Sequence, residues 1–583
     1  MEFTRKILFA GTSSYNHYLT PEEFRQTAEI AAEVGFTHID LGCSMIERSR
    51  HQLTNNGVYC KNYDFYTEYT AAFPSYFKFF VPEALRPYLP EETAKRNLEA
   101  MHVRAEILQS LGLKGAFFGA EPQFLPEQAY EDHPSWRGAR SDFSGRSIIA
   151  YFSPCIDQQE IRDLYGEAAE ALSEAAPCLD YIHMLTGDSG AGICWGQLYT
   201  GTNGPAYCEH VPMAQRISTF CEVLAEPMRK RGHADPMAIL HRSTPWGRSA
   251  PVVKAAGAPG GTVFAARAAL DKPVSYEDPV GILEEIAKAD GFDNIIVNIE
   301  APLVHMAKDS IYPQVIKSAF ESVPRGTVDI AARIQKAAAK VKPEYDSEKF
   351  TDAMFLINQA ARQYRLLNCN LFYGCMSERW ITRPFLIYIP DMDDEETAYY
   401  RNYIFNVNGE AAFKDILDYH GNRWIRFGST PEEGRSSAHL CFDIISKLER
   451  AIKLLGAESE IGFRIRALRA LIKNIRHLLL FTGMHDRLKK GETFTKDDRT
   501  FFGQVMRAEI DNCDELIEVL EKGPANVFPL APTKEAEHTF MFGPDFADQL
   551  RLKKKQMVAH WHDLDDLLIG KKPPIANIQS QNL

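Results

Sequence analysis

Short runs of β-branched and aromatic residues alternate with longer amphipathic stretches from residue 6 to about residue 375, after which the β signal fades. Such alternation is the pattern of βα units laid around a parallel sheet. Ile7–Ala10 predicts a first strand and Pro21–Val34 a helix, with Thr20 as N-cap, Pro21 at the first helical position and Gly35 closing it. Further strands are predicted at Phe36–Leu41, Phe77–Val81, Lys114–Phe118, Tyr181–Leu185, Met237–Leu240, Ile295–Ile299 and Cys369–Tyr373, with Val263–Ala266 ambiguous. Helical patterns run from about Glu91 to Leu111, Gln159 to Ala176, 213 to 231 and 347 to 367. Eight or nine strands in this arrangement predict an α/β fold, a (β/α)8 TIM-type barrel over residues 1–385. An open doubly wound sheet is disfavoured because no G-x-G-x-x-G loop follows the first strand.

From residue 386 to 583 helical periodicity takes over, most plainly at Ile461, Ile465, Leu468, Ile472, Ile475 and Leu479, so a mostly α-helical C-terminal domain is predicted. Arg464, Arg466, Arg469, Lys473 and Arg476 interleave with that stripe and read as a solvated or interdomain face.

Composition narrows the function classes. The 78 acidic residues outnumber the 65 basic ones, giving a net charge of −13, which argues against a nonspecific polyanion binder and so against nucleic acid as a partner. The N-terminal apolar run ILFA is far short of a signal-peptide core, and no run approaches a membrane span. The expected location is therefore the cytoplasm, with no membrane partner and a homo-oligomer left open. Eleven cysteines, odd in number, scattered and without a C-x-x-C pair, read as reduced core thiols. Neither a metal site nor a cofactor is expected.

In a parallel barrel the C-terminal strand ends converge on the active site, and here they carry acids. Asp40 ends FTHID, Glu83 follows FKFFVP, Glu121 follows GAFFGA, Asp188 follows YIHMLTG and Glu300 ends IIVNI, while His241 and Arg242 follow MAIL. The Asp188 loop, GDSGAGICWGQLYTGTNGPAYC, combines that carboxylate with glycines for tight bending and with Trp195, Tyr199 and Tyr207 as flat faces. As turn residues alone, Asp188-Ser189-Gly190 would mean nothing more than a bend. Paired carboxylates of divergent pKa cleave acetals, one giving a proton to the leaving oxygen while the other attacks or activates water. Trp136, Trp195, Trp246 and Trp380 fall in or near the same loops and offer planes on which sugar rings stack. Arg137 and Arg242 are candidates to grip a uronic-acid carboxylate.

The strand-end acids and the Asp188 loop resemble barrel glycosidases, loosely the α-glucuronidase and hexosaminidase group, over roughly residues 6–385. They are more similar to glycosidase-like proteins of carbohydrate-degrading bacteria with a D-S-G-A-G loop and an N-G-P segment, matching Asp188, Trp195, Asn203, Gly204 and Pro205. The resemblance implies a glycoside hydrolase, and Glu121 and Glu300 fall where many retaining barrel glycosidases place their acid and nucleophile. No adjacent Asp-Glu pair stands at a strand end, which speaks against cleavage assisted by a substrate acetamide. The expectation is thus hydrolysis of a small oligosaccharide or glycoside by Asp188, Glu300 and Glu121. Asp40, Trp136, Arg137, Trp195, Tyr199, Asn203, His241, Arg242 and Trp246 would bind the sugar. The competing expectation is a divalent-metal-dependent sugar isomerase or epimerase on the same barrel, with the acids and His241 as ligands.

Overall fold

A computed structural model describes residues 3–10, 19–42, 74–141, 151–187, 190–196, 203–242, 251–252, 263–267, 274–299, 301–367, 381–387, 431–530 and 542–574. The chain divides into two compact units, residues 1–270 with 279–343, and residues 271–278 with 344–583. The sequence reading placed the division at 385.

The first unit is built on a sheet of strands β1 (Arg5–Ala10), β2 (His38–Asp40), β3 (Lys114–Ala120), β6 (Leu179–Thr186), β7 (Met237–Arg242), β8 (Pro251–Val252), β9 (Val263–Arg267) and β10 (Asn294–Ile299). Between β3 and β6 the chain forms a separate antiparallel pair, β4 (Arg137–Arg140) and β5 (Phe152–Pro154). The main sheet runs β7-β6-β3-β2-β1-β10-β9-β8, all parallel except β8, which pairs antiparallel with β9. Seven parallel strands curl into a half-barrel, because residues from both flanks of the sheet meet in one core. Met237 and Ile239 of β7 join Val263 of β9 there, together with Ile7, Ala116, Phe118, Tyr181 and Ile296. Among the described residues the sheet stays open between β7 and β8, so the expected eight-stranded closure is not seen.

Local chemistry sets the connecting helices. Thr20 caps Pro21–Val34 in a reciprocal box, its hydroxyl accepting from Glu23 N at 3.2 Å while the Glu23 carboxylate accepts from Thr20 N at 2.9 Å. Gly35 ends that helix at φ 98°, a left-handed conformation that a side chain would resist. Helices Glu91–Ser110, Gln159–Ala175 and Met213–Lys230 follow the predicted periodicity.

One predicted strand is not a strand. Phe77–Val81 includes the end of a 3-10 turn, Tyr76–Lys78, and Glu83 begins another short turn in an exposed position. A run of aromatics carries no periodicity of its own, and packing decided its form. Tyr76 and Phe79 set their rings edge-on to Phe117 at 5.3 and 5.2 Å, and Phe77 lies 4.6 Å from the Tyr165 ring. The proposed strand Cys369–Tyr373 lies outside the described residues.

The second unit is helical, with Ser347–Tyr364, Pro431–Leu455, Glu460–Lys489, Lys496–Lys522 and Phe546–Ala559 as its long elements. Ile461, Ile465, Leu468, Ile472 and Ile475 are buried as their spacing predicts. Of the solvated or interdomain face expected for the basic residues between them, the solvated half is corrected. Arg464 and Arg466 are buried, Arg464 pairing with Glu460 at 2.8 Å and Arg466 with Glu518 at 2.6 Å, while Arg469 and Lys473 share Glu515. Among the described residues no helix is long and apolar enough to cross a membrane.

Candidate active site

Strand alternation determines which side chains face the inside of the curl. Phe9, Ala116 and Phe118 point into the shared core. Their register partners therefore take the same face: Asn298 beside Phe9, Asp40 beside Ala116, and His183 beside Phe118. The rings of Phe9, Phe118 and His183 form a stack across the sheet, with centroids 4.4 and 5.3 Å apart and planes within 24°.

This row near the C-terminal strand ends is polar where a closed core would be apolar. Asp40 Oδ1 accepts from Phe118 N and Gly42 N, each at 3.1 Å, bracing β2 against β3. His183 Nδ1 lies 2.9 Å from the Tyr181 hydroxyl. Asn298 is 8% exposed, and its Oδ1 has no hydrogen-bond partner among the described residues. A buried acceptor left without a donor costs roughly 1–3 kcal/mol. Glu300 comes two residues after Asn298 in the sequence. Sequence reasoning missed Phe9, His183 and Asn298, although the polar residues within the runs YIHML and IIVNIE carried a signal for the last two.

Glu121 lies on the opposite parity, with Phe117 and Gly119, toward the helical layer. Burial there is complete. Oε1 accepts from Ser75 Oγ at 2.8 Å and Tyr76 N at 2.7 Å, and Oε2 from Tyr165 Oη at 2.6 Å and Gln123 N at 3.0 Å. Burial pushes its carboxyl above the ordinary value of 4.5, opposed by these four donors.

The segment that follows Glu121 is hydrogen bonded to the described residues on the C-terminal side of Asp188-Ser189. Gly187 N donates to Ala191 O at 2.9 Å, Gly192 N to Pro122 O at 3.1 Å and Phe124 N to Gly190 O at 3.0 Å, while Ser153 Oγ reaches the same Gly190 carbonyl at 3.3 Å. Gly187 and Gly190 both have positive φ, 81° and 74°, a conformation that side chains resist.

The remaining expected residues divide. Asp188, Tyr199, Trp246 and Glu300 lie outside the described residues, and of His241 and Arg242 only the strand backbone is described, paired with Leu185 and Thr186. Trp136, Arg137, Trp195 and Asn203 come together around the β4–β5 pair. Trp136 is buried there, stacked on His133 at 3.9 Å with its Nε1 donating to Glu160 at 2.5 Å. Arg137 pairs with Glu127 and lies over Phe152 at 4.7 Å. Asn203 Oδ1 accepts from Arg140 N at 3.0 Å and its carbonyl from Trp195 N at 3.0 Å, closing the base of the intervening loop. Trp195 itself has positive φ, 59°, and Gly204 is forced by space, since a Cβ there would meet Cys194 Cβ at 2.5 Å.

Beneath Trp195 three cysteines meet. Cys155, Cys194 and Cys208 are buried with their sulfurs within 4.8 Å of one another. The hydrogen bond from Cys194 holds the Cys155 thiol at about 6, while burial pushes Cys208 up to about 11.

No family model matches the chain. No curated protein matches it either. Among solved structures it is similar to a GH138 enzyme targeting pectin rhamnogalacturonan II, with a TM-score of 0.47 and 9% identity over 98% of this chain and 69% of that one. It is also similar to a family 89 glycoside hydrolase from Clostridium perfringens in complex with PUGNAc, with a TM-score of 0.42 and 9% identity over 97% of this chain and 64% of that one. A GH20 catalytic module of the pneumococcal exo-β-D-N-acetylglucosaminidase gives a TM-score of 0.27 and 11% identity over 63% of this chain and 93% of that one.

Proposed function

We propose that the chain is a glycoside hydrolase whose reacting carboxylates are Asp188 and Glu300, acting where the parallel strands end. The observation that carries this reading is the polar row on the inner face of the sheet, with the buried Asn298 Oδ1, which has no partner among the described residues, two positions before Glu300 in the sequence. Phe9, only partly buried, supplies an apolar ring in that row. A small glycoside offers both the hydroxyls that satisfy Asn298 and the C–H face that packs on an aromatic ring.

In this reading one carboxylic acid protonates the leaving oxygen and the ionised partner attacks or activates water, the separation of the two setting retention or inversion. Glu121 is a positioning residue: its Oε2 accepts from Gln123 N, within the segment whose Pro122 and Phe124 backbone groups bond Gly192 and Gly190. Arg242 takes a uronic-acid carboxylate where the substrate carries one, Arg137 being committed to Glu127. The enzyme would work in the cytoplasm.

The test is a panel of aryl glycosides and uronides. Aglycone release is expected, abolished in Asp188→Asn and in Glu300→Gln at an unchanged unfolding midpoint. Full turnover in both variants, or no release from any panel member by the folded protein, would overturn the proposal.

A further inference from the structure

We propose that Cys155, Cys194 and Cys208 form a three-thiolate zinc site that clamps together the loops around Trp195. The three residues come from separate segments: Cys155 directly follows β5, Cys194 lies in the segment 190–196, and Cys208 ends the short 3-10 turn Ala206–Cys208. Chain entropy opposes bringing three such segments to one point, and hydrophobic burial of three small thiols is modest compensation.

Geometry favours a metal over a disulfide. Cys155 Sγ and Cys208 Sγ are 3.9 Å apart. A disulfide requires about 2.05 Å and would leave the third thiol out, whereas a zinc ion bonded to thiolates at about 2.3 Å holds their sulfurs about 3.8 Å apart. All three sulfurs lie within 4.8 Å of one another, so one ion can reach each with small side-chain adjustments.

The surroundings supply the charge and rigidity that such a site needs. Three thiolates on Zn²⁺ carry one net negative charge, and the buried guanidinium of Arg216 stands beside it. Its Nη1 donates to Cys194 O at 2.6 Å and its Nε to Asp157 Oδ2 at 2.7 Å. Asp157 Oδ2 in turn is 3.6 Å from Cys155 Sγ, close enough for its carboxylate to complete a closed four-ligand site while Arg216 orients it. The ion therefore serves as a structural clamp, fixing β5, the Trp195 backbone and the Pro205–Cys208 turn together.

The proposal is independent of the glycosidase reading, and its test uses no activity measurement. The full chain is produced in zinc-supplemented medium, purified without chelator and submitted to elemental analysis, with about one zinc ion per chain expected. After stripping, added cobalt(II) should give sulfur-to-metal charge-transfer absorption. Cys155→Ser and Cys208→Ser should lose the zinc, whereas Cys221→Ser, a buried thiol outside the cluster, should keep it. If the cluster variants do not fold, the cobalt spectrum of the wild-type chain decides. Zinc retained in both cluster variants, another metal in its place, or no metal together with no charge-transfer band overturns the assignment.

Discussion

Glu121 in the first compact unit and Glu509 in the second are both completely buried, and they are held by opposite means. Glu121 in the first accepts from four neutral donors and has no cation among them. Glu509 in the second accepts from Asn474 at 2.6 Å, His477 at 2.7 Å and the wholly buried Lys553, whose Nζ also donates to Ile381 O at 2.6 Å. Burial raises both, but at Glu509 Lys553 and His477 outweigh it and bring the carboxyl down to about 2. At Glu121 burial wins and the carboxyl stays above 4.5. A counter-charge locks the helical bundle, whereas neutral donors orient a carboxylate beside the proposed site without introducing a cation there.

The linkage signs follow. Glu509 contributes stability that is full above its ordinary 4.5 and is lost as pH falls through about 2. Glu121 does the reverse, favouring the folded state below 4.5 and losing that contribution as pH rises through its folded value.

Breaking the charged cluster should have the largest effect. Lys553→Met leaves Glu509 buried without its cation, and urea unfolding is expected to show a loss of about 3–5 kcal/mol. The double variant with Glu509→Leu should recover much of it, since no uncompensated charge then remains. A single-variant loss below about 1 kcal/mol would remove the contrast between the two sites.

Glu121→Gln comes next. The amide nitrogen must face two N–H or O–H donors that the carboxylate oxygen accepted, at about 1–3 kcal/mol for each group left unsatisfied, so a loss of about 2–4 kcal/mol is expected. Unlike the Lys553 variant, it should also lower kcat on a responsive glycoside more than it changes KM under the proposed reading, because the 122–124 segment bonded to Gly190 and Gly192 loses its anchor at Gln123 N. Equal kcat in both variants would separate Glu121 from the site.

A third carboxylate sharpens the comparison within the first unit. Asp180 sits at the N-terminal foot of the sheet, the extra residue of a bulge between β3 and β6, with His38 and Lys114 both at 2.5 Å. Burial raises it, but His38 and Lys114 bring it to about 2. The charged solution thus belongs to the foot of the sheet and the neutral one to the helical side near its C-terminal edge. Asp180 should contribute about 2 kcal/mol above pH 4, lost between about pH 4 and 2, and Asp180→Asn should flatten that part of the acid-unfolding curve. An unchanged acid limb would refute the assignment.

These distinctions were unequally legible in the sequence. The strands of the half-barrel announce themselves by β-branched runs between caps, and in IIVNIE the shared parity of Asn298 and Glu300 can be read directly. In KGAFFGAE nearly every position is apolar, so nothing shows that Phe118 faces the curl and Glu121 the helices; only the register does. An acid after a strand was therefore legible as a position but not as a direction. The cysteine cluster was hidden for another reason, since its members come from distant loops and share no paired spacing. The buried arginines of Glu460–Lys489 read as a solvated face because their acidic partners Glu515 and Glu518 lie on another helix.

Tyr165→Phe asks the smallest and most discriminating question about Glu121. It deletes one donor, the hydroxyl 2.6 Å from Oε2, without changing the ring that packs on Phe77 and Phe220. The expected loss is about 1 kcal/mol, since one hydrogen bond goes and three donors to the carboxylate remain. Its sign with pH is the informative part. An O–H donor favours the ionised carboxyl, so removing it pushes Glu121 further up and penalises the folded state chiefly where that group is charged. The deficit of Tyr165→Phe against wild type, measured by urea unfolding across the pH range, should therefore grow as pH rises above 4.5. A deficit that stays constant with pH would mean that the hydroxyl supports packing alone, and that the four-donor cage does not govern the charge of Glu121.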